Sequence, residues 1–124
     1  MIERAVCTTA FYEAVAACDP AVRVRAALER EPLRGRELIG LAVGKAAIAM
    51  ARGAGPVGRG IVVTAVDDGR GLPAGWTLML STHPHVSERS VDAGEAAIWF
   101  VDGAREEDDV LALVSGGASA MILP

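Results

Sequence analysis

The 124-residue sequence predicts an α/β domain with a mostly parallel sheet and helices on both faces. Two observations carry this. Short apolar runs that would be buried on both faces recur along the chain, as strands of parallel sheets require. Between most of them lie stretches with helix-forming composition, the alternation expected of α/β folds. A third observation bounds the domain. Apolar residues are 52% of the chain and aromatics only 4%, so a core must come from Ala, Val, Leu and Ile. The length suits one domain, and no internal repeat, low-complexity tract or interdomain linker divides it.

In chain order, Ile2 to Cys18 is Ala-rich, without internal Gly or Pro, and reads as a helix. Asp19-Pro20 reads as the N-cap and first position of a second helix, to about Arg30, with Val22, Ala26 and Leu28 available to bury. Pro32 and Gly35 follow it. Glu37 to Gly44 is the first strand. The next helix opens at Lys45 and dissolves at Gly53, Gly55 and Pro56. Ile61 to Val66 is the second strand, Asp67 to Gly75 a loop and Trp76 to Thr82 the third strand. His83 to Ser90 is a turn with helix-start residues. Val91 to Ala104 is a helix with Val91, Ala97, Ile98 and Val101 near one face. Asp109 to Gly117 is the fourth strand entering a glycine-serine loop. The nine-residue loop before the third strand leaves its direction open. A parallel crossover usually takes about a dozen residues or more, yet nine extended residues reach ~30 Å.

The net charge of −4 argues against a nucleic-acid partner, which calls for a basic face. No stretch approaches the ~20 apolar residues of a membrane span. The opening MIERAVCTTAFYEAVAACDP lacks the apolar segment of a secretory leader. Cys7 and Cys18 lie eleven residues apart, or ~16–17 Å on one helix, beyond disulfide reach. Two separated thiols suit a reducing cytoplasm, and the expected localisation is cytoplasmic. No metal site is expected from residues in this chain.

Ligands of open parallel sheets bind at the carboxyl ends of the strands. Those ends hold Gly44-Lys45, Asp67-Asp68 and Ser115-Gly116-Gly117-Ala118-Ser119, joined by His83-Pro84 if the third strand is parallel. Glycines at 116 and 117 let a ligand approach the backbone, and Ser115 and Ser119 add hydroxyls. The loop can cradle phosphate or carboxylate, aided by N–H groups of a following helix, or it can be an ordinary tight turn. Lys45 opposes the dipole of the helix it opens, at a cost of ~0.3–1 kcal/mol that a bound anion would offset and solvent would also screen. His83 and His85 lack the third ligand of a metal site. Asp67 and Asp68 could hold Mg²⁺ or simply form a turn. A nucleophile elbow is excluded by Met121, and a Walker A loop by Ile39 and Ala46. No dinucleotide fingerprint follows the first strand.

Taken together, VGKAAIAMA, THPHVSERSVDAGEAA and DDVLALVSGGASAMILP occur in the order and approximate spacing of the MOFRL-type glycerate 2-kinases. The sequence resembles that family most clearly from Leu38 to Pro124. The family has also been described as hydroxypyruvate reductases, and its N-terminal domain carries the DUF4147 label. The resemblance implies a Rossmann-like N-terminal domain followed by a smaller C-terminal domain, with the active site between them. Residues 1–124 would be the N-terminal part of the first, in an apparently truncated chain. It implies ATP-dependent, Mg²⁺-assisted phosphorylation of D-glycerate at its 2-hydroxyl. Lys45 matches the family's G-K-A lysine after Gly44, expected at the anionic substrate or phosphates. His83 and Pro84 match its His-Pro, and Ser115, Gly116, Gly117 and Ser119 match its S-G-G-G-S-A loop. Lys45 and His83 are the expected catalytic residues. Gly44, Lys45, Ser115, Gly116, Gly117 and Ser119 are the expected substrate- or phosphate-binding set.

The sequence departs from the family's pattern at Val86-Ser87, where the family has Pro-Asp, and at Ala118. Ser87 replaces an acidic residue, but can still cap the next helix. Ala118 replaces a glycine, which requires a negative φ there. The chain alone is expected to lack kinase activity. The alternatives are an NAD(P)H-dependent hydroxypyruvate reductase and a non-catalytic anion-binding or interaction module. The last includes self-association through an uncovered sheet.

Overall fold

A computed structural model describes residues 3–124. The elements run α1 (Arg4–Ala17), α2 (Pro20–Arg30), β1 (Leu38–Val43), α3 (Ala47–Ala54), β2 (Arg59–Thr64), β3 (Trp76–Leu80), α4 (Glu88–Asp102), β4 (Asp109–Val114) and α5 (Ala118–Met121). The expected helix from Ile2 begins at Arg4, and Ile2 itself lies outside the described residues.

The four strands form one sheet in the order β3-β2-β1-β4, and every pairing is parallel. The direction of β3 is thereby fixed: Gly60 pairs with Trp76 and Thr64 with Leu80. Its crossover has no helix, and two devices of the chain secure it. Arg52 on α3 grips Asp68 through paired bonds of 2.6 and 2.7 Å and donates to the Gly71 carbonyl from Nε at 3.1 Å. The Trp76 indole N–H donates to the Gly55 carbonyl at 2.8 Å.

One face of the sheet is covered by α3, with α2 stacked outside it. Ala42, Ala47, Ile48, Ala51, Val62 and Trp76 form the core on this side. The Trp76 ring lies where a side chain on Gly40 or Gly60 would have to stand, which is why these two strand positions carry none. The opposite face is covered by α4 and α5, with Val43, Ile61, Val63, Ala93 and Met121 at its centre. Central strand β2 is buried from Gly60 to Thr64, as its β-branched run predicts.

Asp19 caps α2 as its position before Pro20 demands, its carboxylate accepting from the Ala21 and Val22 N–H groups. The predicted burial of Val22 and Ala26 does not occur. Both are exposed, whereas Leu28 is partly buried as expected, together with Ala21 and Val24. Helix α4 is likewise rotated from expectation. Ser90, Ala93, Gly94 and Ala97 are buried, while Val91 and Ile98 are exposed. The reason is steric, since a Cβ on Gly94 would collide with the Leu123 carbonyl, and only small residues allow that approach. Strand β4 pairs with β1 alone, and its Val110, Ala112 and Val114 lie exposed on the α4 side.

Candidate functional site

The carboxyl ends of β1, β2, β3 and β4 bring the expected residues to one edge of the sheet. At the end of β1 the backbone turns at Gly44, whose φ of +118° favours glycine. A Cβ there would strike the Ser115 side chain and carbonyl, so the first and fourth strand ends lie in contact. The Lys45 N–H donates to the Gly116 carbonyl at 2.9 Å. The Ser115 hydroxyl accepts from the Ala46 N–H at 3.0 Å and lies 3.4 Å from the Val43 carbonyl. Ser115 therefore splices the two loops together, and its hydroxyl is engaged in that task.

Gly117 adopts a φ of +92°, the left-handed turn that the glycine pair predicts. Ala118 does not share it, because no non-glycine residue among those described has positive φ. A Cβ on Gly117 would stand 2.9 Å from His83 Cδ2 and 3.2 Å from Nε2, so the His83 ring packs on this bare backbone. The N–H groups of Gly116 and Gly117 have no acceptor among the described residues. Ser119 is exposed on the first turn of α5, which is only four residues long.

Lys45 and His83 line the same cleft, of about 260 Å³, together with Thr64, Ala65, Val66 and Met121. Thr64 and Met121 escaped the sequence reading because a buried strand threonine and a methionine carry no motif. Their places follow from the neighbouring loops. The Ser81 N–H donates to the Thr64 carbonyl at 2.8 Å, and the Ser81 hydroxyl donates to the Met121 carbonyl at 2.6 Å. Ser81 thus anchors the His83 turn to the helix that ends the glycine loop. Behind it, Thr82 and Ser87 hydroxyls meet at 2.8 Å, and the Ser87 N–H donates to Ser90 Oγ at 3.1 Å at the start of α4. Ser87 keeps the helix-start geometry. The His83-Pro84 bond is cis, and His85 is exposed.

The aspartates after β2 stand apart from this cleft's lining. Asp67 accepts from the Gly69 N–H and turns the loop. Hydrogen bonds from Arg52, then from the Arg70 N–H, hold Asp68 at a pKa of about 2. The Asp68 carboxylate in turn raises the Arg52 pKa further. No group of three His, Cys, Asp or Glu side chains among the described residues is arranged to hold a metal ion. No helix among them is long and apolar enough to cross a membrane.

A family described as a domain of unknown function, DUF4147, matches residues 6–124. The chain belongs to this family. A protein of Agrobacterium vitis provisionally named a hydroxypyruvate reductase is 37% identical over 119 residues, covering 91% of this chain and 26% of that protein. The crystal structure of a glycerate kinase from Thermotoga maritima superposes with a TM-score of 0.79 at 29% identity, covering 90% of this chain and 28% of that one. A protein of Pyrococcus horikoshii OT3 gives a TM-score of 0.80 at 28% identity, covering 98% of this chain and 31% of its own. The chain spans between 26% and 31% of the length of these relatives. The α/β fold expected from the sequence is thus that of solved family relatives, one of them named a glycerate kinase.

Proposed function

We infer that this DUF4147 chain provides the anion-binding wall of a glycerate 2-kinase, which transfers the γ-phosphoryl group of ATP to the 2-hydroxyl of D-glycerate. The observation that carries the reading is the meeting of Lys45, His83 and the Gly116-Gly117 loop at one cleft edge, with two backbone N–H groups left without acceptors. Phosphoryl transfer is mostly a matter of positioning and electrostatic stabilisation. Lys45 supplies a mobile cation, and the loop supplies N–H donors to oxygens of a carboxylate or phosphate. His83, packed on Gly117, supports the loop and faces the same space. Gly44 and Ser115 set the geometry that presents Lys45.

ATP would be held partly by the same donors. Mg²⁺ would neutralise phosphate charge, but the described residues offer it no carboxylate set. A reading as a hydroxypyruvate reductase rests on the name of the Agrobacterium relative alone. In its disfavour, the turn after β1 runs Gly44-Lys45-Ala46-Ala47 and has no dinucleotide fingerprint.

The test joins this chain in frame to the remaining length of the Agrobacterium vitis relative. ATP-dependent conversion of D-glycerate to 2-phosphoglycerate is expected, and Lys45→Ala should lower kcat/KM by about 100-fold, a loss typical of one charge-stabilising contact. Full kcat/KM in that variant would remove Lys45 from the mechanism. Hydroxypyruvate-dependent NADH oxidation without phosphorylation would favour the reductase.

A further inference from the structure

Around the carboxyl end of the sheet the hydroxyls of Ser81, Thr82, Ser87, Ser90 and Ser115 are all engaged in hydrogen bonds of the fold. That of Thr64 has no partner among the described residues, although Thr64 is only 3% exposed. Its carbonyl accepts from the Ser81 N–H at 2.8 Å, so the spare group is the hydroxyl. The oxygen is not sealed either. Asp108 Oδ1, at the far end of the sheet, is the only side-chain atom among the described residues that is both buried and unpartnered. The Thr64 hydroxyl therefore keeps an opening, and the space that Thr64 lines is the cleft of Lys45 and His83.

A buried hydroxyl without a partner subtracts from folding stability. Valine has the same branched shape and would continue the buried run of Ile61, Val62 and Val63. Folding alone thus gives no reason for threonine here. Its place in the sheet gives one. Strand β2 lies between β1 and β3, so Thr64 ends the strand flanked by those that lead to Lys45 and His83. Val62 packs in the core beneath α3, and the two-residue alternation of a strand puts Thr64 on that same side, where Lys45 precedes the helix.

We propose that Thr64 is a further binding residue of the cleft, its hydroxyl donating to an oxygen of an oxyanion held between Lys45 and His83. This rests on the reading of the cleft as an anion site. The donor count selects the ligand. Lysine offers donors and no acceptor, and the Gly116 and Gly117 N–H groups are donors too. Ala65, Val66 and Met121 complete the lining, and no carboxylate enters it. A ligand that meets these groups must be rich in acceptors, as a carboxylate or a phosphate is. The apolar part of the lining lowers the local dielectric and strengthens a hydrogen bond to a charged oxygen.

Calorimetric titration of the whole chain with inorganic phosphate and, separately, with D-glycerate tests the assignment in Thr64→Val and Thr64→Ser. Loss of one hydrogen bond to a charged group should raise the Kd of at least one anion about tenfold or more in Thr64→Val. Thr64→Ser, which keeps the hydroxyl, should bind close to the parent. Weakening confined to phosphate marks a phosphoryl subsite, and weakening confined to glycerate marks a carboxylate subsite. The denaturation midpoint of Thr64→Val should equal or exceed that of the parent, because the hydroxyl bonds nothing in the fold. Unchanged affinity for both anions in Thr64→Val, with Lys45→Ala still weakening them, would overturn the role of Thr64 and leave the anion site standing. A lowered midpoint with unchanged affinity would make the hydroxyl structural and overturn it equally. A parent chain that binds neither anion would remove the anion site, and Thr64 with it.

Discussion

The two ends of the parallel sheet hold similar numbers of loops but treat their polar groups differently. At the amino end most are paired, although Asp108 Oδ1 is buried without a hydrogen-bond partner. The Asp109 carboxylate accepts from the backbone N–H groups of Arg34 and Gly35, and Asp108 accepts from the Arg105 N–H while Arg36 stands 3.8 Å from its other oxygen. Glu37 faces Arg59, whose guanidinium also donates to the Phe100 carbonyl at 2.8 Å. At the carboxyl end the groups that build the loops, Ser115 and Ser81, are satisfied, but Lys45 and the Gly116 and Gly117 N–H groups are not. One end closes the fold and the other is open to a ligand. The proposed anion site at the carboxyl end rests on that difference.

The largest break in this contrast should come from Gly44→Val. Its positive φ and its contact with Ser115 leave no room for a side chain, so about 3 kcal/mol of stability should be lost, read as a shifted denaturation midpoint. Binding at the carboxyl end should vanish with it. Asp109→Ala should break the amino end instead. Loss of two backbone acceptances should cost about 1–2 kcal/mol in the same denaturation experiment while anion binding persists. Lys45→Ala sharpens the contrast from the other side. Lys45 is exposed and makes no ion pair among those found, so stability should move by less than about 0.5 kcal/mol while phosphate affinity in a calorimetric titration falls several-fold.

The smallest effect belongs to Arg52 and Asp68. Asp68 is held at about 2 against an ordinary 3.8, so its contribution to folding is fully present above pH ~4 and disappears as pH falls through ~2. In Arg52→Ala, carboxylate NMR should show Asp68 titrating nearer 3.8, with the Lys45 cleft unchanged. Exposure of the pair keeps the stability change small.

Much of this was legible in the sequence where glycine, proline or a polar cap interrupts an apolar run. Asp19-Pro20 marked the start of α2, and Gly44 and Ser115-Gly116-Gly117 marked two strand ends that meet. What the sequence hid has physical causes. The orientation of β3 depends on Arg52 reaching a loop sixteen residues away, which no local pattern records. The buried face of α4 is lined by Ala93, Gly94 and Ala97, because closeness to the sheet and to Leu123 mattered more than side-chain size. Ranking Val91 and Ile98 by hydrophobicity pointed to the wrong face. Ser115 read as a ligand donor, and nothing local revealed that its hydroxyl oxygen also accepts from the Ala46 N–H. The links from Ser81 to Thr64 and Met121 join residues far apart in the chain and appear only in three dimensions.

The measurement that bears most directly on the open end of the sheet is a two-dimensional NMR titration of the chain with 2-phosphoglycerate and, separately, with inorganic phosphate. The amides of Lys45, Gly116 and Gly117 and the ring of His83 should shift together, the residues around Asp109 should stay still, and Lys45→Ala should suppress the response. Shifts confined to the amino end, or unchanged in Lys45→Ala, would contradict the assignment of this site.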